Sequence, residues 1–242
     1  MTDPRTAEGQ RVELPRPIRE DERLVGSAVM GLPFASGHYL AMRNWAATSF
    51  APPYRAVFHR NPAGRWTIWS NAEPQNGCGR FWSAAVHAIE VVDIRIDWQG
   101  PNDLVVEIPE IDFRWDLCID SSPTTAMISR MATVLPAAAW ESDAILKLMG
   151  GFAGPFLGIG KVNMAGHLPN GQHFQMAPRK MWRIMDSTAV LGRTGFGPPG
   201  RPLTQLSLGE VWLPQEGIFA VGSARTDAYH PEIHHSALAT LD

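Results

Sequence analysis

Apolar and polar positions alternate along much of this chain, most cleanly from Glu110 to Asp120. Ile111, Phe113, Trp115, Leu117 and Ile119 fall on one face; Glu110, Asp112, Arg114, Asp116, Cys118 and Asp120 fall on the other. A period of two marks a half-buried strand. The same reading predicts strands over His38–Trp45, Tyr54–Arg60 and Arg65–Ser70, with "NPAG" as the turn between the last two. A long run, "AAVHAIEVVDIRIDW", predicts one strand that leads through "QGPND" into "LVVEIP". "VWLPQEGIFAV" predicts a further hairpin near the end. Turns of Pro, Asn and Gly at short spacing favour antiparallel pairing over βαβ winding.

The segment "GKVNMAGHLPNGQHFQMAPRKMWRIMD" carries the most explicit hairpin. If Pro169, Asn170 and Gly171 form the loop, Leu168 pairs with Gln172, His167 with His173, Ala165 with Gln175 and Asn163 with Ala177. The other face, with Val162, Met164, Phe174 and Met176, is apolar. The two imidazoles become cross-strand neighbours about 5 Å apart. No third or fourth ligand converges on them, so no metal is expected. His230 and His234 stand four apart, but beside Pro231 in a terminal segment, and they read as part of a tail.

One stretch changes period. "SSPTTAMISRMATVLPAAAWESDAILKLMGGF" predicts two helices, within about 122–150. Ser121 or Ser122 caps the first, and Met127, Met131 and Val134 or Leu135 form its stripe. Pro136 starts the second, Trp140, Ala144 and Leu148 share its face, and Gly150-Gly151 stops it. The parts before about residue 25 and after 225 mix proline and charge without period and read as an N-terminal arm (1–24) and a C-terminal tail (226–242) around one domain.

Composition sets limits on partners. The chain has 242 residues, 45% hydrophobic and 19% charged, with net charge −3. That is ample for a core and gives no electrostatic footprint for nucleic acid. Two cysteines and no leader pattern suggest a reduced, cytoplasmic protein, and no apolar run is long enough to span a bilayer. A homodimer is compatible with these numbers. "GFGPPG" and "GIGK" lack the strand–turn–helix setting of a phosphate loop, and no cofactor is expected.

Candidate chemistry comes from polar residues that interrupt apolar faces. Glu90 interrupts Val86, Ala88, Val92, Ile94, Ile96 and Trp98; Lys180 interrupts Phe174, Met176, Pro178, Trp182 and Ile184. Burial would raise the carboxyl pKa and lower the amine pKa, as acid–base or amine catalysis requires. An exposed head on a snorkelling stem is the plainer reading of each. Cys78, in "NGCGR", sits near Arg80, which would favour its thiolate. Seven of the ten methionines lie between Met127 and Met185. Met fills irregular cores and adaptable apolar sites alike. Met127, Met131, Phe156 and Trp182 are the candidates to line a cavity between strands and helices.

Over roughly Tyr39 to Val221, the alternating strands, the hairpin "GKVNMAGHLPNGQHF" and the following "PRKMWRIMDS" resemble the lipocalin-like (calycin) barrels of the carotenoid-hydratase and tocopherol-cyclase type. The resemblance implies a mainly β fold, an antiparallel lipocalin-like barrel or sandwich with a two-helix insertion. It implies a lipophilic ligand, of terpenoid, steroid or polyketide kind, and cofactor-free hydration, cyclisation or isomerisation, for which Glu90, singled out by the strand pattern, is the candidate acid or base. Those families have longer chains with two barrel units, and their catalytic positions do not map here. Two alternatives stand beside this: a non-enzymatic carrier of a hydrophobic ligand, and a Schiff-base decarboxylase or aldolase-type enzyme using Lys180.

Overall fold

A computed structural model describes residues 2–10, 14, 20–120 and 122–234. A short helix, α1 (Pro4–Gly9), is capped by Asp3, whose carboxylate accepts the Thr6 N–H at 2.8 Å. Four strands follow: β1 (Glu22–Pro33), β2 (Tyr39–Thr48), β3 (Tyr54–Arg60) and β4 (Trp66–Ser70). After the one-turn helix α2 (Gly79–Trp82) come β5 (Ala88–Val91), β6 (Arg95–Trp98), β7 (Asp103–Ile108) and β8 (Phe113–Asp120). Helices α3 (Pro123–Val134) and α4 (Asp143–Leu157) precede β9 (Ala165–His167) and the long β10 (His173–Leu191). Two-residue strands β11 (Thr194–Gly195), β12 (Ser207–Leu208) and β13 (Val211–Trp212) lead to β14 (Ile218–Thr226).

The main sheet runs β5-β4-β3-β2-β1-β14-β10-β8-β7-β6, and among the described residues only the β4–β5 pair is parallel. Its two outer strands, β5 and β6, are consecutive in sequence and separated by residues 92–94. Three residues cannot cross a flat ten-stranded sheet, since strands lie about 4.8 Å apart. The sheet therefore curls into a half-barrel whose edges approach each other. The join is pinned at three points: Val92 N–H donates to Ser70 O (2.9 Å), Asp93 N–H to a Glu110 carboxylate oxygen (2.9 Å), and Arg55 Nη1 to Ile94 O (2.8 Å).

The inner face holds the largest core. Val29, Met42, Val57, Trp115, Trp182 and Phe219, from six different strands, are all buried there. Trp69 of β4 meets Phe113 of β8 at 5.2 Å between ring centroids, which requires the curl. Helix α1 enters the same side, with Ala7 in the core and the Glu8 carboxylate accepting from Ser27, Asn44 and Trp98. The outer face of β1–β4 packs a second core, including Tyr39, Tyr54, Phe58 and Cys78, under α2 and the β12–β13 ribbon.

Several sequence expectations hold and several shift. The mainly β, mostly antiparallel architecture holds, and the alternating strand holds from Phe113 to Asp120, with Phe113, Trp115, Leu117 and Ile119 buried, while Glu110 and Ile111 belong to a 3-10 turn and Asp112 is left-handed, with φ 52°. His167 pairs with His173 and Ala165 with Gln175, and the turn closes through Leu168 N–H to Gln172 O at 2.9 Å. The predicted strand over 84–98 is instead two edge strands with a break, so Val86 to Trp98 share no single face. "VWLPQEGIFAV" is not a hairpin: Val211–Trp212 pairs back with Ser207–Leu208, while β14 pairs with β1 and β10. The second helix starts at Asp143, after a 3-10 turn, and runs through Gly150-Gly151 to Leu157. The proposed arm contains α1 and the first residues of β1, and the tail expectation falls partly on 235–242, outside the described residues.

Candidate functional site

The outer face of the central strands carries a repeated tetrapeptide. Val25-Gly26-Ser27-Ala28 in β1 lies antiparallel to Val221-Gly222-Ser223-Ala224 in β14, with Gly26 opposite Gly222 and Ala28 opposite Ala220. At period two, Gly26, Ala28, Ala220, Gly222 and Ala224 put almost no side-chain volume on that face. Both glycines are demanded by close approach: a Cβ at Gly26 would stand 2.0 Å from Asn44 O, and one at Gly222 would stand 2.2 Å from Ala177 O. These approaches coincide with register shifts in the β1–β2 and β10–β14 pairs.

Longer side chains rise around this low floor. Met30 and Trp45 stand on one side and Met176 and Met181 on the other, with Leu157 of α4 and Ile159, Val162 and Pro214 of the covering loops above. Two hollows, of about 80 and 90 Å³, share Met30, Arg43, Trp45, Asn163, Met176 and Ala224. They form one apolar cleft between the sheet and its covering helix and loops. They are small beside the roughly 300–1,000 Å³ of a small-molecule site, so a ligand of terpenoid size enters only as the covering helix and loops part. The Tyr39 hydroxyl donates to Pro214 O at 2.8 Å and ties the covering loop to β2.

One strongly polar group enters this cleft. Arg43 projects from β2 on the same face as Ala41 and Trp45. Its Nη1 donates to Val29 O (2.8 Å) and Met42 O (2.9 Å), and its guanidinium lies 5.7 Å from the centre of the Phe58 ring. Burial lowers its pKa from the ordinary value, while Cys78, Tyr39 and Tyr54 act the other way. Among the described residues no carboxylate pairs with Arg43, and its Nε and Nη2 donate to no acceptor. Burial pushes the Cys78 thiol up to about 11, against the nearby Arg43 charge, so the thiol form dominates at neutral pH. Arg80, expected to activate Cys78, instead forms an ion pair with Glu22. Burial raises the Glu22 pKa even with Arg80, Gln172 and Thr226 beside it.

The sequence-derived candidates lie elsewhere. Glu90 is exposed on the edge strand β5, and its carboxylate accepts the Trp69 indole N–H at 3.0 Å. Lys180 is half-buried and donates to Gln10 Oε1 at 3.1 Å. Neither lines the cleft. The reason for Lys180 is a bulge: Pro178 pairs with Gly222 but Lys180 pairs with Val221, so Arg179 is an extra residue. Phe174, Met176 and Pro178 face the cleft before it, Met181 faces the cleft after it, and Lys180 and Trp182 turn to the inner face. Trp182 is accordingly part of the inner core, at 1% exposure.

Met127, Met131 and Phe156 point outward, at 45%, 60% and 46% exposure. Helix α3 runs beside a stretch of β10 left uncovered between β9 and β8. Its Ser129 hydroxyl accepts Met181 N–H at 3.0 Å and donates to Met181 O at 3.4 Å. A buried strand edge must have its polar groups satisfied. Hence Thr125, Ser129 and Ala132, not the methionines, form the inward stripe. Among the described residues no group of three or more His, Cys, Asp or Glu side chains could hold a metal. His167 and His173 stack edge to face at 5.5 Å, and His173 Nε2 lies 2.7 Å from Asp143 Oδ2. The sequence signal for the cleft, the repeated "VGSA", was legible but reads as ordinary strand unless the two copies are known to be neighbours.

Comparison with known proteins adds little to this geometry. No known protein-family model matches the chain, and no curated protein matches it. An acetoacetate decarboxylase from Legionella pneumophila subsp. pneumophila str. Philadelphia 1 is among the similar solved structures, at 8% identity and a TM-score of 0.37, covering 92% of each chain. A likeness that distant assigns neither activity nor site residues. Among the described residues no helix is long and apolar enough to cross a membrane.

Proposed function

We propose that the protein binds a lipophilic small molecule in the cleft over β1, β14 and β10, and acts as its carrier. The observation that carries this reading is the floor of Gly26, Ala28, Ala220, Gly222 and Ala224 walled by Met30, Trp45, Met176 and Met181. The apolar lining matches a terpenoid, steroid or polyketide-like ligand, which enters as α4 and the covering loops part. Burial of about 300 Å² of apolar ligand surface contributes about 7 kcal/mol before the costs of immobilisation. Hydration, cyclisation or isomerisation at Glu90, or Schiff-base chemistry at Lys180, needs those side chains within reach of the ligand. Their positions outside the cleft favour the carrier over either enzyme.

The test is a panel of terpenoids, steroids and fatty alcohols scored by tryptophan fluorescence and by melting temperature. Trp45 lines both hollows, and Trp66, Trp82 and Trp212 line the second. At least one ligand class should quench or shift the emission and raise the melting temperature. Ala224→Phe, which fills the floor, should weaken that ligand at least about tenfold. A panel that leaves both signals unchanged removes the reading.

A further inference from the structure

The geometry assigns a chemical class to the ligand: an amphiphilic acid whose carboxylate pairs with Arg43 and whose apolar body fills the cleft. This rests on the cleft being a lipophilic-ligand site. A guanidinium has five N–H donors in a planar fork. Arg43 uses Nη1 on two main-chain carbonyls, Val29 O and Met42 O, which hold the group in place without neutralising it. The remaining donors, on Nε and Nη2, meet no acceptor among the described residues.

The surroundings sharpen the point. The groups that favour the Arg43 charge are Cys78, Tyr39 and Tyr54, none of which is a carboxylate. Burial pushes Cys78 up to about 11 and raises both tyrosines well above their ordinary value, so all three are neutral at pH 7. Arg43 is half-buried against an apolar wall with no counter-charge beside it among the described residues, and arginine does not relieve this by losing its proton. Three other buried or half-buried arginines have carboxylate partners, Arg23 with Asp21, Arg80 with Glu22 and Arg183 with Glu216, while Arg55 and Arg179 rest on Ile94 O and the Trp140 ring outside the cleft.

A second donor lies at the wall of the same space. Asn163 lines both hollows. Its Oδ1 accepts Trp212 N–H at 3.2 Å, which fixes the amide orientation, and its Nδ2 donates to no described residue. A carboxylate offers two oxygens in the plane that an arginine fork accepts, with lone pairs left for an amide N–H. A neutral ligand leaves both donors unmatched.

The experiment compares saturated fatty acids of eight to sixteen carbons with the alcohols of equal length, below their micelle concentrations, by calorimetry and tryptophan fluorescence on the full chain. The expected result is that the acids bind about tenfold or more tightly than the matching alcohols. Arg43→Met and Arg43→Gln should bring that preference to parity, and Arg43→Lys should retain only part of it, since it keeps charge but loses the fork. Asn163→Leu should reduce it by a smaller factor. Alcohols that bind the unaltered protein as tightly as the acids overturn the acid assignment and leave the lipophilic-ligand reading intact. An acid preference that survives in both Arg43→Met and Arg43→Gln also overturns it. Absence of binding by every member of both series overturns the two together. Because the acid-to-alcohol ratio is read on the unaltered protein, a poorly folding variant does not rescue the assignment.

Discussion

At the scale of single residues, His59 has the clearest consequence. It lies on the inner face, stacked with Trp69 at 5.0 Å and Phe196 at 5.3 Å, and its Nε2 is 2.8 Å from Nδ1 of His38. One proton suffices between those two nitrogens. Burial, and then the neighbouring His38, lower the His59 pKa to about 4. His38 itself is lowered by burial. A depressed folded-state pKa means that the unfolded chain binds the proton first. The neutral ring's contribution is therefore complete above about pH 6.5 and is lost as pH falls toward 4, by on the order of a few kcal/mol. Urea denaturation at several pH values in that window should show the loss, and His59→Phe, which keeps the stack, should flatten it. Identical slopes for the two proteins would refute the assignment. Nothing in the sequence around His59 distinguishes it from His87, because the stack draws its members from three distant segments.

At the scale of elements, α4 gives a prediction of opposite signs within one helix. Its buried side is Leu146, Gly150, Gly154 and Leu157, packed on the covering loop of the cleft. A Cβ at Gly154 would stand 2.0 Å from Gly160 O, whereas one at Gly151 meets nothing within 4 Å. Alanine in a helix is ordinarily more stable than glycine by up to about 1 kcal/mol. Gly151→Ala should therefore stabilise the protein by up to that amount. Gly154→Ala should destabilise it by about 2 kcal/mol, the scale of overpacking, and should also weaken ligand binding, because α4 and the loop must part. Thermal melts settle the signs, and stabilisation by both substitutions would mean that α4 does not rest on this loop. The sequence suggested that Gly150-Gly151 ends the helix. That rule fails because Gly150 serves close packing, where a Cβ would stand 2.6 Å from Val162 O, and the left-handed cap falls at Gly158, with φ 71°.

At the scale of the whole molecule, β10 is the hinge of the architecture. It runs 19 residues, pairs with β14 along one part and β8 along another, and takes β9 and α3 on its remaining edge. The strands β5 and β6, by contrast, close the two ends of the sheet order with four residues each. Local opening is easiest where backbone hydrogen bonds face water and buried contacts are few. Amide exchange should be slowest in the middle of β10 and in β14, and fastest in β5 and β6. Equal protection in β5 and β10 would indicate that the ribbon closes into a full barrel in solution.

What the sequence determined by itself is local. The alternation from Phe113 to Asp120, the Pro-Asn-Gly turn and the His167–His173 pairing need only neighbours along the chain or across one tight turn, and these were legible. The Ser122 cap of α3 was legible for the same reason: its hydroxyl accepts Thr125 N–H at 3.2 Å, three residues on. The tertiary structure alone decided which face each residue serves. A single extra residue, Arg179, reverses the faces of β10 and moves Lys180 and Trp182 off the cleft. A break of three residues sends β5 and β6 to opposite edges and leaves Glu90 on one of them. The cleft exists because two distant "VGSA" stretches meet at Gly26 and Gly222. Arg43 stands out only there, because an arginine's partners, or their absence, are set by strands that the sequence does not place side by side.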